Sequence, residues 1–162
     1  MLSGGGIQLG PLLTGQHGAR VGLRDQFGAI FTLTAEVLPP PRPLVAWHLM
    51  AAQDHQPAFA LYSELFGWTP TGTLDLGPQC GQHQLFSWDD SGAIVGSISN
   101  LARLSHIHTR WLFYFRVDDT ERCAARVTEL GGLALSVVSG ADGAAMAACD
   151  DDQGGAFGIY QR

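Results

Sequence analysis

The stretch "DHQPAFALYSELFG" at 54–67 predicts an α-helix, and "DTERCAARVTELGG" at 119–132 repeats its pattern. An aspartate suits the N-cap of each helix, and a glycine suits the residue that ends it. Four residues recur at one offset, 119 − 54 = 65, in the order Asp54, Glu64, Leu65, Gly67 and then Asp119, Glu129, Leu130, Gly132. A fixed internal period indicates duplicated structural units.

Each helix has a predicted strand before it and three after it. The preceding strands are "LVAWHLMA" at 44–51 and "RWLFYFRV" at 110–117, which are short and apolar. The strands that follow are expected at 72–76, 83–88 and 93–99 in the first unit, and at 134–139, 144–149 and 155–161 in the second. The pattern therefore predicts two βαβββ units, at 44–100 and 109–162.

A repeated turn closes the last hairpin of each unit, with the sequences "DDSGAIV" at 89–95 and "DDQGGAF" at 151–157. In both, an aspartate can accept bonds from backbone amides ahead of it, and a glycine tolerates positive φ. A third copy, "DQFGAIF" at 25–31, comes before the first unit.

The early copy belongs to a longer match. Gly15, Gly18 and Ala19 correspond to Gly140, Gly143 and Ala144 at an offset of 140 − 15 = 125, and Asp25, Gly28 and Phe31 correspond to Asp151, Gly154 and Phe157 at 151 − 25 = 126. Residues 19–36 are therefore predicted to form a hairpin. We interpret 1–37 as the tail of a preceding domain of the same kind, followed by a proline-rich linker at 38–43. The hairpin is expected to add to a sheet edge of its own domain or of a second chain.

Composition limits the possible partners. Of the 162 residues, 46% are apolar and 15% charged, which is typical of a globular protein. A formal net charge of −6 argues against nucleic acid as a partner. Three widely spaced cysteines favour a reducing cytoplasm, and no apolar run reaches the length of a membrane helix.

With "AWHLMAAQD…FALYSELFGW" and "RWLFYFRVDD…VTELGG…DDQGGAFGIY", residues 44–162 resemble the vicinal oxygen chelate superfamily of glyoxalases, bleomycin-resistance proteins and extradiol dioxygenases. The branch often labelled "hydroxylase" is the most similar, since Trp47 and Trp111 lie near the start of the two units. The resemblance implies an α+β fold in which two curved sheets form a barrel-like cleft, with the N-terminal hairpin as an addition. It also implies a homodimer.

Metal-dependent members of that superfamily carry ligands on the first and last strand of each unit. Counting from the capping and turn aspartates, these positions fall on Trp47, Leu112, Gly96 and Gly158. None of the four side chains can coordinate a metal, so no metal and no other cofactor is predicted. The remaining metal candidates are His48, one residue from an expected position, and the His106–His108 pair in the linker. Strand alternation would point His48 away from the cleft, and a solvated loop is the simpler interpretation of the pair.

The cleft is instead expected to be aromatic. Trp47 occupies a ligand position, Tyr114 shares its face by alternation, and Phe86 is a further candidate. We interpret the chain as a small-molecule binding protein that sequesters or senses an apolar or cationic ligand. The predicted ligand-binding residues are Trp47, Phe86, Leu112, Tyr114, Gly96 and Gly158. The alternatives are a metal-dependent lyase, isomerase or dioxygenase that uses His48 with His106 or His108, and a degenerate remnant without a ligand.

Overall fold

The computed structural model describes residues 5–16, 18–35, 44–78, 80–139 and 143–162, so the linker at 38–43 lies outside the described residues. The fold is α+β, with strands as its main element. The strands are β1 Ile7–Gln8, β2 Leu13–Gly15, β3 Gly18–Arg24, β4 Ile30–Thr34, β5 Val45–Ala51, β6 Thr69–Asp75, β7 Gln82–Ser87, β8 Gly96–Ser99, β9 Arg110–Arg116, β10 Leu133–Ala134, β11 Val138–Ser139, β12 Ala145–Asp150 and β13 Ala156–Gln161; the helices are α1 His55–Phe66 and α2 Thr120–Glu129.

The chain divides into two compact units. Unit 1 comprises 1–42 and 50–111, and unit 2 comprises 43–49 and 112–162. The strand β5 is divided between them after Leu49. The predicted βαβββ order appears along the chain as β5-α1-β6-β7-β8 and then as β9-α2-β10/β11-β12-β13.

Unit 2 is a sheet covered on one face by α2. The strand order is β10-β12-β13-β9-β5, with β11 also pairing with β12 and β13 lying parallel to β9. Asp119 caps α2 by accepting a bond from the Arg122 amide, as its sequence position predicts. Helix and sheet share a core that includes Ala147, Cys149 and Ile159.

Unit 1 has the strand order β5-β8-β7-β6, and α1 packs on β7 and β8. Asp54 caps α1 by accepting from the Gln56 amide, and Gly67 ends it with φ +74°. A side chain at Gly67 would strain the left-handed backbone, which explains why glycine stands there. The core includes Ala58, Tyr62, Trp68, Phe86 and Ile98.

The predicted elements are confirmed, with shifts at their ends. The strand expected at 72–76 begins earlier, at Thr69. The strand expected at 134–139 is broken into β10 and β11, which contact different parts of β12. The strand expected at 93–99 begins only at Gly96, because the preceding residues form the connection from β7.

The repeated turn adopts the same geometry at Asp25 and at Asp151. One carboxylate oxygen of Asp25 accepts bonds from the amides of Phe27 and Ala29, at 2.9 and 2.8 Å. The corresponding oxygen of Asp151 accepts from Gln153 and Gly155, at 2.9 and 2.6 Å. Gly28 and Gly154 have φ of +98° and +83°, as the sequence pattern predicts.

The N-terminal strands form the predicted hairpin, β3 with β4, within a four-stranded sheet of their own. Within the described residues they do not pair with the sheet that carries the βαβββ units. Their turn packs instead on α1, where Phe31 contacts Tyr62 and Phe66 edge-on at ring distances of 5.9 and 6.2 Å. The helix α1 therefore contacts strands of two sheets.

A buried hydrogen bond joins the N-terminal turn to α1. The Tyr62 hydroxyl donates to Asp25 Oδ2 at 2.7 Å, and the indole of Trp111 donates to the same hydroxyl at 3.3 Å. Tyr62 is almost wholly buried. Burial, followed by the bond to the Asp25 carboxylate, raises the pKa of Tyr62 well above its ordinary value.

Replacing Tyr62 with phenylalanine is expected to lower the free energy of unfolding by about 1.5–3 kcal/mol, the usual range for a hydrogen bond to a charged group. The change should also alter the alkaline pH dependence. Because the folded-state pKa of Tyr62 is raised, its contribution is complete below about pH 10 and declines as the pH rises above the unfolded value. Urea unfolding at pH 8 and pH 10.5 measures both effects.

The wild-type protein should lose more stability between these two pH values than Tyr62→Phe does. Phe59→Leu serves as the control, since it changes the same helix and leaves the hydroxyl in place. Equal alkaline losses in the wild type and in Tyr62→Phe would contradict this assignment.

Candidate functional site

The sheet of unit 2 has two distinct faces. The helix face packs on α2 and carries Phe157 and Ile159. The opposite face, termed here the helix-distal face of unit 2, carries Gly158 and Tyr160 on β13. Tyr114 is the register partner of Gly158 and so lies on this face as well. Alternation adds Leu112 and, on β5, Trp47.

His48 confirms this arrangement of β5. Its ring contacts Phe113 edge-on, at a centroid distance of 5.9 Å. Phe113 lies between Leu112 and Tyr114 in β9, so it points to the other face of the strand. His48 therefore lies opposite to Trp47, as alternation predicts.

Tyr114 and Gly158 fit together closely. A Cβ atom added at residue 158 would lie 2.2 Å from Cδ1 of Tyr114 and 2.3 Å from its Cγ. These atoms are at the root of the ring, so the ring could not avoid them by a small movement. The ring occupies the space that any side chain at 158 would need. The large side chains of this face, Trp47, Leu112, Tyr114 and Tyr160, are all buried.

Two of the six predicted ligand-binding residues lie on the helix face of unit 1. Phe86 is fully buried and stacks on Trp68 with a centroid distance of 4.3 Å, in the core shared with α1. Gly96 is the register partner of Phe86 and so shares that face. The expectation that Phe86 and Gly96 point away from the helix is therefore corrected.

The cause of the correction is the turn between β7 and β8. In this copy the Asp89 carboxylate accepts the Ser91 amide, with no second backbone amide bonded to it among the described residues, and the hairpin closes through Val95, whose amide donates to the Phe86 carbonyl. The connection from Ser87 to Gly96 is longer than the Asp25 and Asp151 turns. Counting from Asp89 therefore moves the expected position by one residue, which is enough to change its face.

Ser97, rather than Gly96, lies on the helix-distal face of unit 1. The same face carries His83 on β7 and Ser99, its register partner on β8. His83 Nδ1 is 3.0 Å from the Ser97 hydroxyl, and His83 Nε2 is 2.9 Å from the carbonyl of Cys80. Because a carbonyl only accepts, Nε2 carries the proton, and in the neutral ring Nδ1 accepts from Ser97. The Ser99 hydroxyl is buried and has no hydrogen-bond partner in the part of the chain that the structure describes.

The sequence alone does not reveal this contact between His83 and Ser97. Ser97 is fourteen residues away, and only the register of the hairpin brings the two together. Burial lowers the pKa of His83, with the hydrogen bond to Cys80 acting in the opposite direction. The side chain is therefore held as neutral imidazole near pH 7.

The remaining histidine candidates do not form a metal site with their neighbours. His106 and His108 are exposed in the connection before β9. Within the described residues, no group of three or more His, Cys, Asp or Glu side chains is placed to hold a metal ion. The positions where the resemblance expects ligands carry an indole, an isobutyl group and glycines, and Tyr114 fills the space at Gly158. The residues present therefore do not fit a metal held at those positions.

No protein-family model matches the sequence, and no curated protein shows significant similarity to it. Solved structures do resemble the chain. Methylmalonyl-CoA epimerase from Mycobacterium tuberculosis has a TM-score of 0.55 at 14% identity, over 76% of this chain and 92% of that chain. A hypothetical protein from Bacillus halodurans C-125 has a TM-score of 0.53 at 16% identity, over 73% and 93%.

A methylmalonyl-CoA epimerase in complex with methylmalonyl-CoA and NH4+ has a TM-score of 0.54 at 14% identity, over 72% of this chain and 92% of that chain. These epimerases are members of the vicinal oxygen chelate superfamily. The chain has the vicinal oxygen chelate fold. The resemblance recognised in the sequence is thus confirmed for the fold, and the predicted ligand-binding role of the six residues stays a prediction.

Neither of the described α-helices of this vicinal oxygen chelate fold has the length and apolar character of a membrane-spanning segment.

The two helix-distal faces carry different kinds of side chain. The face of unit 2 is aromatic, and the face of unit 1 carries an imidazole and serine hydroxyls.

Gly158→Ala is expected to lower the free energy of unfolding by about 1–3 kcal/mol, because the new methyl group overlaps the Tyr114 ring. In the Tyr114→Ala background the same change should cost little, because the ring is gone. Urea denaturation of the two single variants and the double variant measures the coupling energy between the two sites.

Gly22→Ala is the matched control, since Gly22 is also a strand glycine and its added Cβ would meet only Leu9, at 3.9 Å. It should change stability far less than Gly158→Ala. Additive effects of Gly158→Ala and Tyr114→Ala would show that the ring does not occupy this space.

His83 is expected to make the protein less stable in mild acid. Its folded-state pKa is lowered, so its contribution is complete above the unfolded value of about 6.5 and is lost as the pH falls below it. In a His83→Gln variant, the decrease in melting temperature between pH 7.5 and pH 5 should be smaller than in the wild type. Circular dichroism at a series of pH values measures this, and His106→Gln, at an exposed position, should behave as the wild type. A wild-type decrease that persists in His83→Gln would refute the assignment.

Proposed function

We propose that the protein binds a small apolar or cationic molecule without a metal ion, and that it acts by sequestering or sensing that molecule. The contact surface in this proposal is the helix-distal face of unit 2, formed by Trp47, Leu112, Tyr114 and Gly158. The observation that carries it is the close fit at Gly158, where the Tyr114 ring occupies the space that a coordinating side chain would need.

The chemistry of the surface supports an aromatic binding mode. Indole and phenol rings offer large apolar area and a negative electrostatic face to a ligand. Trp47 and Tyr114 are almost fully buried. Binding therefore requires that a ligand replaces contacts which these rings now make with the protein, and the rings would move to admit it.

A cation already lies against this surface. The guanidinium carbon of Arg116 is 6.0 Å from the centroid of the Tyr160 ring. Arg116 is the register partner of Tyr160, so both lie on the helix-distal face. A ring that receives an arginine can also receive a ligand cation, at about 0.5–2 kcal/mol for each contact. This contact supports a cationic ligand that displaces the Arg116 guanidinium from the ring, since two cations at one ring would repel each other.

The competing function is enzymatic, and the fold comparison favours it. The resembling structures include methylmalonyl-CoA epimerases. A lyase, isomerase or dioxygenase of this fold would need a metal held by His48 with His106 or His108. The placement of His48 against Phe113 opposes that arrangement. Metal analysis of purified protein, repeated on His48→Ala, separates the two functions: stoichiometric metal that is lost in the variant supports the enzyme.

The binding proposal is tested with an isosteric pair of probes, benzyltrimethylammonium and neutral neopentylbenzene. Both should raise the melting temperature, by an amount that corresponds to RT ln(1 + [L]/Kd) and reaches about 2.7 kcal/mol at 100 times Kd. The cation should bind more tightly than the neutral probe. The variant Trp47→Leu should lose most of the shift, whereas Trp88→Leu, at an exposed position outside this surface, should retain it.

No shift with either probe would overturn the binding proposal, and so would equal shifts in the two tryptophan variants and the wild type. Methylmalonyl-CoA, the ligand of one resembling structure, is the probe for the alternative. Stabilisation by this thioester alone would favour the enzymatic function.

Two further parts of the proposal concern the setting in which the protein acts. We propose a homodimer, as the resemblance implies, and sedimentation velocity at several concentrations measures it. We also propose a cytoplasmic location, because Cys80, Cys123 and Cys149 are all free thiols. Fractionation of the source cells tests the location.

A further inference from the structure

The four N-terminal strands reproduce the pairing of the last four strands of unit 2. The register pair Ile7↔Arg24 corresponds to Leu133↔Asp150, since 133 − 7 and 150 − 24 are both 126. The next pair follows the same offset, Gln8↔Leu23 corresponding to Ala134↔Cys149. In both sheets a third short strand then pairs with the other end of the central strand. Together with the shared aspartate turn, this makes β1–β4 the structural counterparts of β10–β13.

The face of the N-terminal sheet that corresponds to the helix face of unit 2 is already covered. Phe157 packs toward α2 in unit 2. Its counterpart Phe31 packs against Tyr62 and Phe66 of α1. The helix α1 thus takes the place that α2 has in unit 2.

The edge of β13 is occupied by β9, and the backbone hydrogen bonds of β13 show how the two strands pair. Within the β12–β13 hairpin, the bond from the Asp151 amide to the Gly155 carbonyl marks a hydrogen-bonded pair, so Gly158 and Tyr160 fall in non-hydrogen-bonded pairs. Their backbone groups point away from β12, toward β9. The Tyr160 carbonyl accepts from the Val117 amide there, at 2.9 Å.

The corresponding backbone N–H and C=O groups of β4 point to an edge at which none of the described strands lies. The bonds from the Asp25 amide to the Ala29 carbonyl and from the Ala35 amide to the Ala19 carbonyl mark hydrogen-bonded pairs of β3 with β4. By alternation, the backbone groups of Ile30 and Thr32 point away from β3. Within the described residues, β4 pairs only with β3. Ile30 is 56% exposed, although its counterpart Ala156 is half-buried beside β9.

We propose that residues 7–34 are the four trailing strands of a third βαβββ unit, and that the open edge of β4 binds a parallel β-strand from a second chain. The occupant is a strand of the kind that begins a unit of this fold, as β9 begins unit 2, and it brings no helix because α1 already covers the face of the sheet. Such a segment donates to and accepts from the backbone of Ile30 and Thr32, and it covers the Ile30 side chain. An added strand at a free edge gains its affinity from main-chain hydrogen bonds.

The test supplies that segment from the chain itself. Residues 109–117, which contain β9, are joined ahead of the full chain through a short Gly-Ser linker. Amide hydrogen exchange is then followed by NMR. In the unfused protein the Ile30 and Thr32 amides should exchange rapidly, and the fusion should slow both by about tenfold or more. Fusion of the same residues in scrambled order should leave both rates unchanged.

The variant Thr32→Pro removes the edge amide without touching the bonds between β3 and β4, and it should abolish the protection of Ile30 in the fusion. Thr32→Val keeps the amide and should retain the protection. If the fused chain does not fold, the segment is added in trans as a peptide to the unmodified protein, with the same readout. Unchanged exchange of Ile30 and Thr32, or protection that survives Thr32→Pro, overturns the proposal.

Discussion

Which side chains of a hairpin face the helix depends on how the aspartate carboxylate in its turn is hydrogen-bonded. In the Asp25 and Asp151 turns one carboxylate oxygen accepts two backbone amides, which sets the number of residues between the two strands. The side chains of a strand alternate between faces, so the length of the turn decides which residues meet the helix. Gly158 lies on the helix-distal face because its turn is tight, and Gly96 lies on the helix face because the Asp89 connection is longer.

Local signals predicted most of the fold, and the limits of prediction follow from what is not local. Asp54 and Asp119 mark both helix starts, since a cap is a contact within a few residues. The face of Gly96 could not be counted correctly, because the sequence of the Asp89 turn resembles the others while its bonds differ. Asp25 was recognised as a turn residue, but its partner Tyr62 is 37 residues away. No periodic pattern connects positions so distant.

On the aromatic face of unit 2, the glycine at 158 and the ring of Tyr114 depend on each other. Glycine at 158 leaves a space on β13, and the ring of Tyr114 fills it from β9. A carboxylate at 158 would force the ring out of its position and bury a charge against the Tyr114 ring. Several positions would have to change together to create a metal site. The arrangement is therefore stable against single substitutions toward metal binding.

The two helices differ in character because α1 contacts strands of two sheets. The sequence of α2 is rich in charged residues, as suits a helix with one side in water, whereas α1 carries only Glu64 and the histidine at its start, His55. Phe59 and Phe66 belong to the side that meets the N-terminal turn and its surroundings. A shortened protein that begins at the first βαβββ unit would present these rings to solvent. Poor solubility and self-association on expression would follow, even though every strand and helix of both units remained in place.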